Sequence, residues 1–219
     1  MRILGLDTAT EAVGAAVLDS TTDAVLGRGT FVGPAAHGEQ LAALVARALE
    51  AAGLAPAQLG AIAVGRGPGP FTGLRVGLVH AEVLGWVLGI PVHGVCTLDA
   101  LAAEAVAGGL AGPFLVATDA RRREVYWARY DAGGHRVSGP AVGPAAEIPD
   151  RQLPVVGAGA QRYPQALPDR RDPVHPDAAW IARLAAAQLA RGEAPEVTPL
   201  YLRRPDAVAA ASRKRVTPA

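Results

Sequence analysis

Arg2-Ile3-Leu4-Gly5-Leu6-Asp7-Thr8-Ala9-Thr10-Glu11 begins with a short apolar run that stops on a carboxylate, followed by two threonines. Apolar runs return over Val13–Leu18 and Val25–Val32 with turn formers between them, which predicts three strands in a β-meander. The pattern comes back in the second half of the chain. Phe114–Thr118 and Glu124–Tyr130 read as two strands joined at Asp119-Ala120-Arg121-Arg122-Arg123. Strand, Asp-headed loop and strand, occurring twice, predict an α/β chain built of two related lobes.

The segments between the two occurrences supply helices. From His37 onward Leu41, Leu44, Val45, Ala48 and Leu49 recur at helical spacing, and Gly53 and Pro56 end the run. Gly60–Gly65 is a short buried strand that enters Gly65-Arg66-Gly67-Pro68-Gly69-Pro70-Phe71-Thr72-Gly73. Leu74–Leu88 is then helical until Gly89 and Pro91, Val92–Val95 is a strand, and Thr97 is placed to cap a helix reaching about Val106. Gly108-Gly109 and Gly112-Pro113 mark a boundary, giving a first lobe over 1–110 and a smaller second lobe over 111–202. In the second lobe Asp131–Pro154 reads as loop, Val155–Ala158 as a short strand and Asp177–Ala190 as an alanine-rich helix. Pro199–Leu202 reads as docked, and 203–219 as a basic, mobile tail.

Composition removes several function classes. A 219-residue chain that is 50% hydrophobic can build a full core. Its one cysteine, Cys96, allows neither an internal disulfide nor a cysteine zinc site. Met1-Arg2 leads straight into a strand, without the pattern of a secretory leader, which reads as a cytoplasmic chain. The longest apolar stretch, Val76–Val92, contains His80 and Glu82 and falls short of the roughly 20 apolar residues of a bilayer span. A net charge of +1 is not that of a stand-alone nucleic-acid binder, so any RNA contact has to be local. Arg121-Arg122-Arg123, Arg203-Arg204 and Arg213-Lys214-Arg215 are the basic clusters, with Arg121 and Arg122 as the candidate RNA contacts and a solvated face as the plainer reading.

Asp7 and Thr8, with Asp119 in the second lobe, are placed to face a nucleotide's metal and phosphates; they are equally ordinary turn residues. Gly67, Gly69 and Thr72 belong to a loop that either offers backbone N–H groups to a phosphate or acts as a rigid elbow, since prolines have no N–H. The loop is neither a P-loop nor a dinucleotide fingerprint. His37, His80, His93, His135 and His175 lack metal-ligand spacing, no serine sits in a nucleophile elbow, and Cys96 beside a core strand reads as a structural thiol. The helix after the loop carries Gly73, Gly77, Ala81, Gly85 and Gly89, one small residue in every four. Interior glycines cost about 0.5 to 1 kcal/mol each, so the ridge needs a close neighbour, within the chain or on another protein.

Ile3–Thr10, His37-Gly38-Glu39, Gly65–Gly77, Asp119-Ala120-Arg121 with Glu124-Val125-Tyr126, and Pro199-Leu200-Tyr201-Leu202-Arg203 together resemble the TsaB family. The resemblance implies a two-lobed fold like those of actin, sugar kinases and heat-shock ATPases, with a reduced second lobe. It also implies a role in making threonylcarbamoyladenosine beside the tRNA anticodon. In that system the paralogue TsaD carries the metal and transfers the group, a small ATPase called TsaE assists, and the TsaB protein is an essential, non-catalytic accessory subunit. ATP and metal are then handled by the partners, tRNA is met only through the complex, no membrane is involved, and the chain alone pairs as a homodimer. The paralogue's His-x-x-x-His metal motif falls on Gly94 and Leu98. The chain departs from the family at Gly38 and Pro70, where serine is frequent, and at Arg123, where glycine is usual.

On this reading the interface comprises His37, Leu41 and Leu44 of the first helix with Gly73, Gly77, Ala81 and Gly85 of the ridge. Gly77→Leu or Ala81→Arg is then expected to abolish the complex while leaving the chain folded. The rival reading is a stand-alone ATPase of sugar-kinase type using Asp7, Thr8 and Asp119, or a glycoprotease-like hydrolase.

Overall fold

The structure is a computed structural model that describes residues 1–33, 37–193 and 196–203; the tail over 204–219, and with it the cluster at Arg213, lies outside the described residues. Arg2–Asp7 (β1), Ala12–Asp19 (β2) and Ala24–Val32 (β3) form the antiparallel meander, with β1 at its inner edge. His37–Ala52 (α1) crosses over, and Ala61–Gly65 (β4) joins β1 in parallel. Phe71–Leu88 (α2) makes the second crossover to Val92–Val95 (β5), and the sheet order is β3-β2-β1-β4-β5. Both faces of this sheet are covered, which is why β1, β2 and β4 read as nearly unbroken apolar runs.

The second sheet repeats that plan. Phe114–Asp119 (β6), Glu124–Tyr130 (β7) and Arg136–Pro144 (β8) are its antiparallel meander, and Val155–Val156 (β9) and Arg170–Arg171 (β10) add in parallel on the other side. The order β10-β9-β6-β7-β8 is the first lobe's order, and β6 occupies the place of β1. Two sheets of one plan are the duplicated-lobe architecture of the actin, sugar-kinase and heat-shock ATPase fold. Reduction shows in the two-residue strands β9 and β10 and in the helix between them, Ala158–Arg162 (α4), which has only five residues.

The helices that follow the parallel strands cross between lobes. Thr97–Ala107 (α3) buries Leu98, Leu101, Ala102 and Ala105 against Phe114, Val116, Ala128 and Tyr130 of the second sheet. Ala178–Ala190 (α5) packs Ile181, Ala182 and Ala185 onto Ile3, Ala61, Ala63 and Val95 of the first. The division after residue 110 therefore falls in the turn between α3 and β6, while the packing crosses it.

Three local expectations are corrected. Residues 136–144 form β8, not loop; their glycines and prolines are tolerated because β8 is an edge strand, where an N–H can go unused. The strand expected over Val155–Ala158 stops at Val156, and α4 begins at Ala158. Thr97 is not a cap: Cys96 holds the N-cap position of α3 and makes no side-chain cap bond, while the Thr97 hydroxyl points elsewhere. Asp177 does cap α5, its carboxylate accepting from the Ala179 N–H at 2.8 Å.

Candidate functional site

The Asp7 loop and the glycine-proline elbow fold against each other. Asp7 is only 1% exposed; its Oδ2 accepts from the Thr97 hydroxyl at 2.7 Å and its Oδ1 from the Ala9 N–H at 2.8 Å. Burial pushes its carboxyl up to about 6, against the pull of those two donors. Thr8 is fully buried, donating to the Gly73 carbonyl at 2.8 Å and accepting from the Gly77 N–H at 3.0 Å. Gly67 and Gly69 are buried as well, and a Cβ at Gly69 would strike the Ala9 carbonyl. Asp7, Thr8, Gly67 and Gly69 thus seal one another in an elbow; Thr72 is exposed on α2, and Asp119 stands across the cleft in the second lobe.

This contact explains the small-residue ridge. A Cβ at Gly73 would meet the Thr8 carbonyl at 2.7 Å, one at Gly77 the Thr8 hydroxyl, and one at Gly85 the Val92 side chain. Ala81 is fully buried. The ridge faces the Asp7 loop and the strands of its own lobe, so Gly73, Gly77, Ala81 and Gly85 are not the exposed face expected of them. Leu41 and Leu44 are likewise buried in the first lobe's core, and His37 is half-buried with its Nε2 2.7 Å from the Thr10 carbonyl. The apolar stripe of α1 and the small-residue stripe of α2 are both spent on their own lobe.

The outward side of α2 is also apolar, and the sequence reading missed it. Val79, Val83, Trp86 and Val87 are exposed, Trp86 to 85%; Val79, Val83 and Val87 line a shallow groove of about 750 Å³ together with Phe71, Arg75, Val76 and His80. Their spacing of four, three and one is a second helical stripe beside the small-residue one. Among the described residues α2 is the one helix long and apolar enough to cross a bilayer, and its small-residue face is packed in the core.

A strap over residues 196–203 ties the lobes together. The Leu200 N–H donates to the Arg66 carbonyl at 2.8 Å, and Arg66 Nη1 donates to the Thr198 carbonyl at 3.2 Å. Tyr201 stacks on Phe71, the first residue of α2, with ring centroids 5.0 Å apart. Arg203 ion-pairs with Glu124 and donates to the Ala120 carbonyl at 3.1 Å, so the strap ends on the β6–β7 hairpin. With Tyr201, Leu202 and Arg203 in place, the space between the elbow and that hairpin is about 150 Å³, below the roughly 300 to 1,000 Å³ of small-molecule sites. The strap also passes Gly94, where a Cβ would meet the Glu196 carbonyl and, at 3.0 Å, Cδ of Arg66. Leu98 is fully buried in the core between α3 and the second sheet.

Arg121 and Arg122 lie at the tip of the β6–β7 hairpin, exposed and beside the cleft. They and Arg123 have φ of 60°, 55° and 64°, three left-handed residues in succession. Asp119 anchors the turn, accepting from the Arg121 N–H at 3.0 Å and from the Tyr163 hydroxyl at 3.2 Å. Cys96 is buried, and burial pushes its thiol up to about 12. Among the described residues no three His, Cys, Asp or Glu side chains cluster as a metal set would.

The family model that matches residues 32–167 is described as TsaD: tRNA N6-adenosine threonylcarbamoyltransferase. An uncharacterized protein of Mycobacterium tuberculosis is 48% identical over 206 residues, covering 94% of this chain and 93% of its own length. The tRNA threonylcarbamoyladenosine biosynthesis protein TsaB of Escherichia coli is 38% identical over 130 residues, 59% of this chain and 55% of that protein. The solved structure of YeaZ from Pseudomonas aeruginosa superposes with a TM-score of 0.77 at 32% identity, covering 92% of this chain and 99% of that one. With the family model matching most of the chain and the YeaZ fold matching nearly all of it, the chain belongs to the family described by the TsaD model and, within it, to the TsaB proteins.

Proposed function

We propose that this protein is a non-catalytic partner in the formation of threonylcarbamoyladenosine on tRNA. It pairs with a TsaD protein and supports a catalytic centre lying in that subunit, in a cytoplasmic complex that TsaE joins. The observation that carries this reading is the two-sidedness of α2: its small residues are consumed by its own lobe, while Val79, Val83, Trp86 and Val87 are left bare. A helix with a second apolar face in water is an unfilled contact. When TsaD is absent, the same face pairs two copies of the chain. The sealed Asp7 loop supports the assignment of ATP and metal to the partners, because its carboxylate and hydroxyl are occupied by Thr97, Ala9, Gly73 and Gly77.

The test mixes this protein with the TsaD of the same cell and follows co-elution and threonylcarbamoyl transfer to tRNA. The wild type is expected to co-elute and to support transfer that neither protein supports alone, while Val83→Glu and Trp86→Glu lose both and melt as the wild type does. Complex formation that survives both substitutions would remove α2 as the interface. No complex, together with ATP hydrolysis or peptide cleavage by the isolated chain, would establish the stand-alone enzyme instead.

A further inference from the structure

Helix α2 begins without the devices that usually hold a first turn. Its N-cap is Pro70, which makes no side-chain cap bond, and no acidic residue stands in the first turn. Phe71, the first helical residue, is 39% exposed, yet its ring is held from two directions in the chain. Tyr201 of the strap stacks on it with centroids 5.0 Å apart and planes inclined by 29°. The Arg75 guanidinium, one turn further along α2, lies 4.9 Å from the same centroid.

The strap can hold this ring because it is anchored on both sides of Tyr201. Before it, the Leu200 N–H donates to the Arg66 carbonyl at 2.8 Å and Arg66 Nη1 donates to the Thr198 carbonyl. After it, Arg203 pairs with Glu124 and reaches the Ala120 carbonyl on the β6–β7 hairpin. The place of the Phe71 ring is therefore set by a segment that also spans the cleft between the lobes.

Phe71 borders that cleft and the outer groove of α2 alike. In the groove Phe71, Arg75, Val79, Val83 and Val87 follow one another at every fourth position, a single row along the helix. The strap thus fastens one end of the row that the bare apolar face continues. We infer that Tyr201 is a positioning residue for the partner face: docked on Phe71, it holds Phe71 and Arg75 in the row that a TsaD subunit covers, so that partner binding and closure of the cleft by the strap favour each other. This coupling rests on the reading of α2 as the partner face. It is reciprocal, because a docked strap that raises affinity for the partner is itself stabilised by the partner to the same extent.

The experiment measures the affinity of the full chain for TsaD by titration calorimetry, at a temperature where melting curves show each variant folded. Tyr201→Ala is expected to weaken the complex by about three- to tenfold, the strength of a stacked aromatic pair, and Tyr201→Phe to keep the wild-type affinity. Phe71→Ala should weaken it as well, and adding Tyr201→Ala to Phe71→Ala should weaken it no further, since Tyr201 acts through that ring. The Leu200 N–H should exchange more slowly in the complex than in the free chain, by a factor similar to the affinity loss in Tyr201→Ala. Unchanged affinity in Tyr201→Ala would overturn the inference. So would a loss that persists in the Phe71→Ala background, which would make Tyr201 a direct contact of the partner. Unchanged or faster exchange of the strap in the complex would overturn it too, faster exchange meaning that the partner displaces the strap. Should Tyr201→Ala fail to fold, Tyr201→Leu, apolar but without a ring, takes its place in the cycle. If the wild type binds no TsaD, the partner reading fails separately, and the same cycle is run on self-association of the isolated chain. Non-additive losses there would preserve the role of Tyr201, and additive losses, or a chain that stays monomeric, would remove it.

Discussion

Burial keeps the Asp7 carboxyl protonated to higher pH than in the unfolded chain, raising it from 3.8 to about 6. The folded state therefore binds this proton more tightly. Its contribution to stability is complete below about pH 4 and is lost as pH rises through about 6, a change on the order of 3 kcal/mol. Glu104 is shifted the same way, to about 7, by burial and by the Asp177 charge, so it extends the decline toward neutrality. Asp7→Asn removes the first part of that decline. Urea unfolding at pH 4.5 and 7.5 should show the variant losing less stability between the two than the wild type does. Parallel losses would mean that Asp7 ionises in the folded chain without hindrance.

Helix α2 holds two apolar stripes of opposite fate, and substitutions only two residues apart, about half a turn, should separate them. Ala81→Arg forces a long charged side chain between α2 and its sheet, at a cost of roughly 4 kcal/mol or more, enough to unfold a marginal chain. Gly77→Leu acts on the same face, breaking the Thr8 hydroxyl bridge to Gly73 and Gly77, so neither change leaves the chain folded as the ridge reading expected. Val83→Glu lies outside and should alter stability by no more than about 0.5 kcal/mol. Denaturant midpoints of the isolated chain check the contrast. Equal midpoints for Ala81→Arg and Val83→Glu would contradict the inward packing of the ridge.

At the scale of the molecule, the lobes are joined by exchange and by a strap. α3 belongs in sequence to the first lobe and packs on the second, α5 does the reverse, and the strap closes the cleft from elbow to hairpin. Tyr201→Ala removes the stack on Phe71 that holds the middle of the strap, and should cost about 1 to 2 kcal/mol. Hydrogen exchange should also quicken at the β6–β7 hairpin, because Arg203 is anchored there through the same strap. Exchange that stays slow at Glu124–Tyr130 in this variant would show that the hairpin does not depend on the strap.

The duplicated plan was legible in the sequence because it rests on local signals: apolar runs that stop at Asp7 and Asp119, and glycines and prolines that punctuate them. The elbow was legible for the same reason, as was the inert thiol of Cys96. Residues 136–144 were misread because Gly139, Pro140 and Pro144 forbid a central strand but not an edge one, and edge position is a property of the sheet. The face that α2 leaves bare was hidden because valine and tryptophan at helical spacing look the same whether buried or exposed. Only the placement of Thr8 against Gly73 and Gly77 decides which stripe turns inward. Pro199–Leu202 read as docked, and Leu200 and Tyr201 are; their partners, and the anchoring of Arg203 that read as part of a mobile tail, were beyond any local pattern, since Arg203 meets Glu124 and Tyr201 meets Phe71 only after the chain has folded. The sequence by itself determined most of the strands, helices and turns, those whose causes lie within a few residues of one another, but not the edge strand β8 or the start of α3. The tertiary structure decided which apolar surface is core and which remains for a partner, because burial depends on residues far apart in the chain.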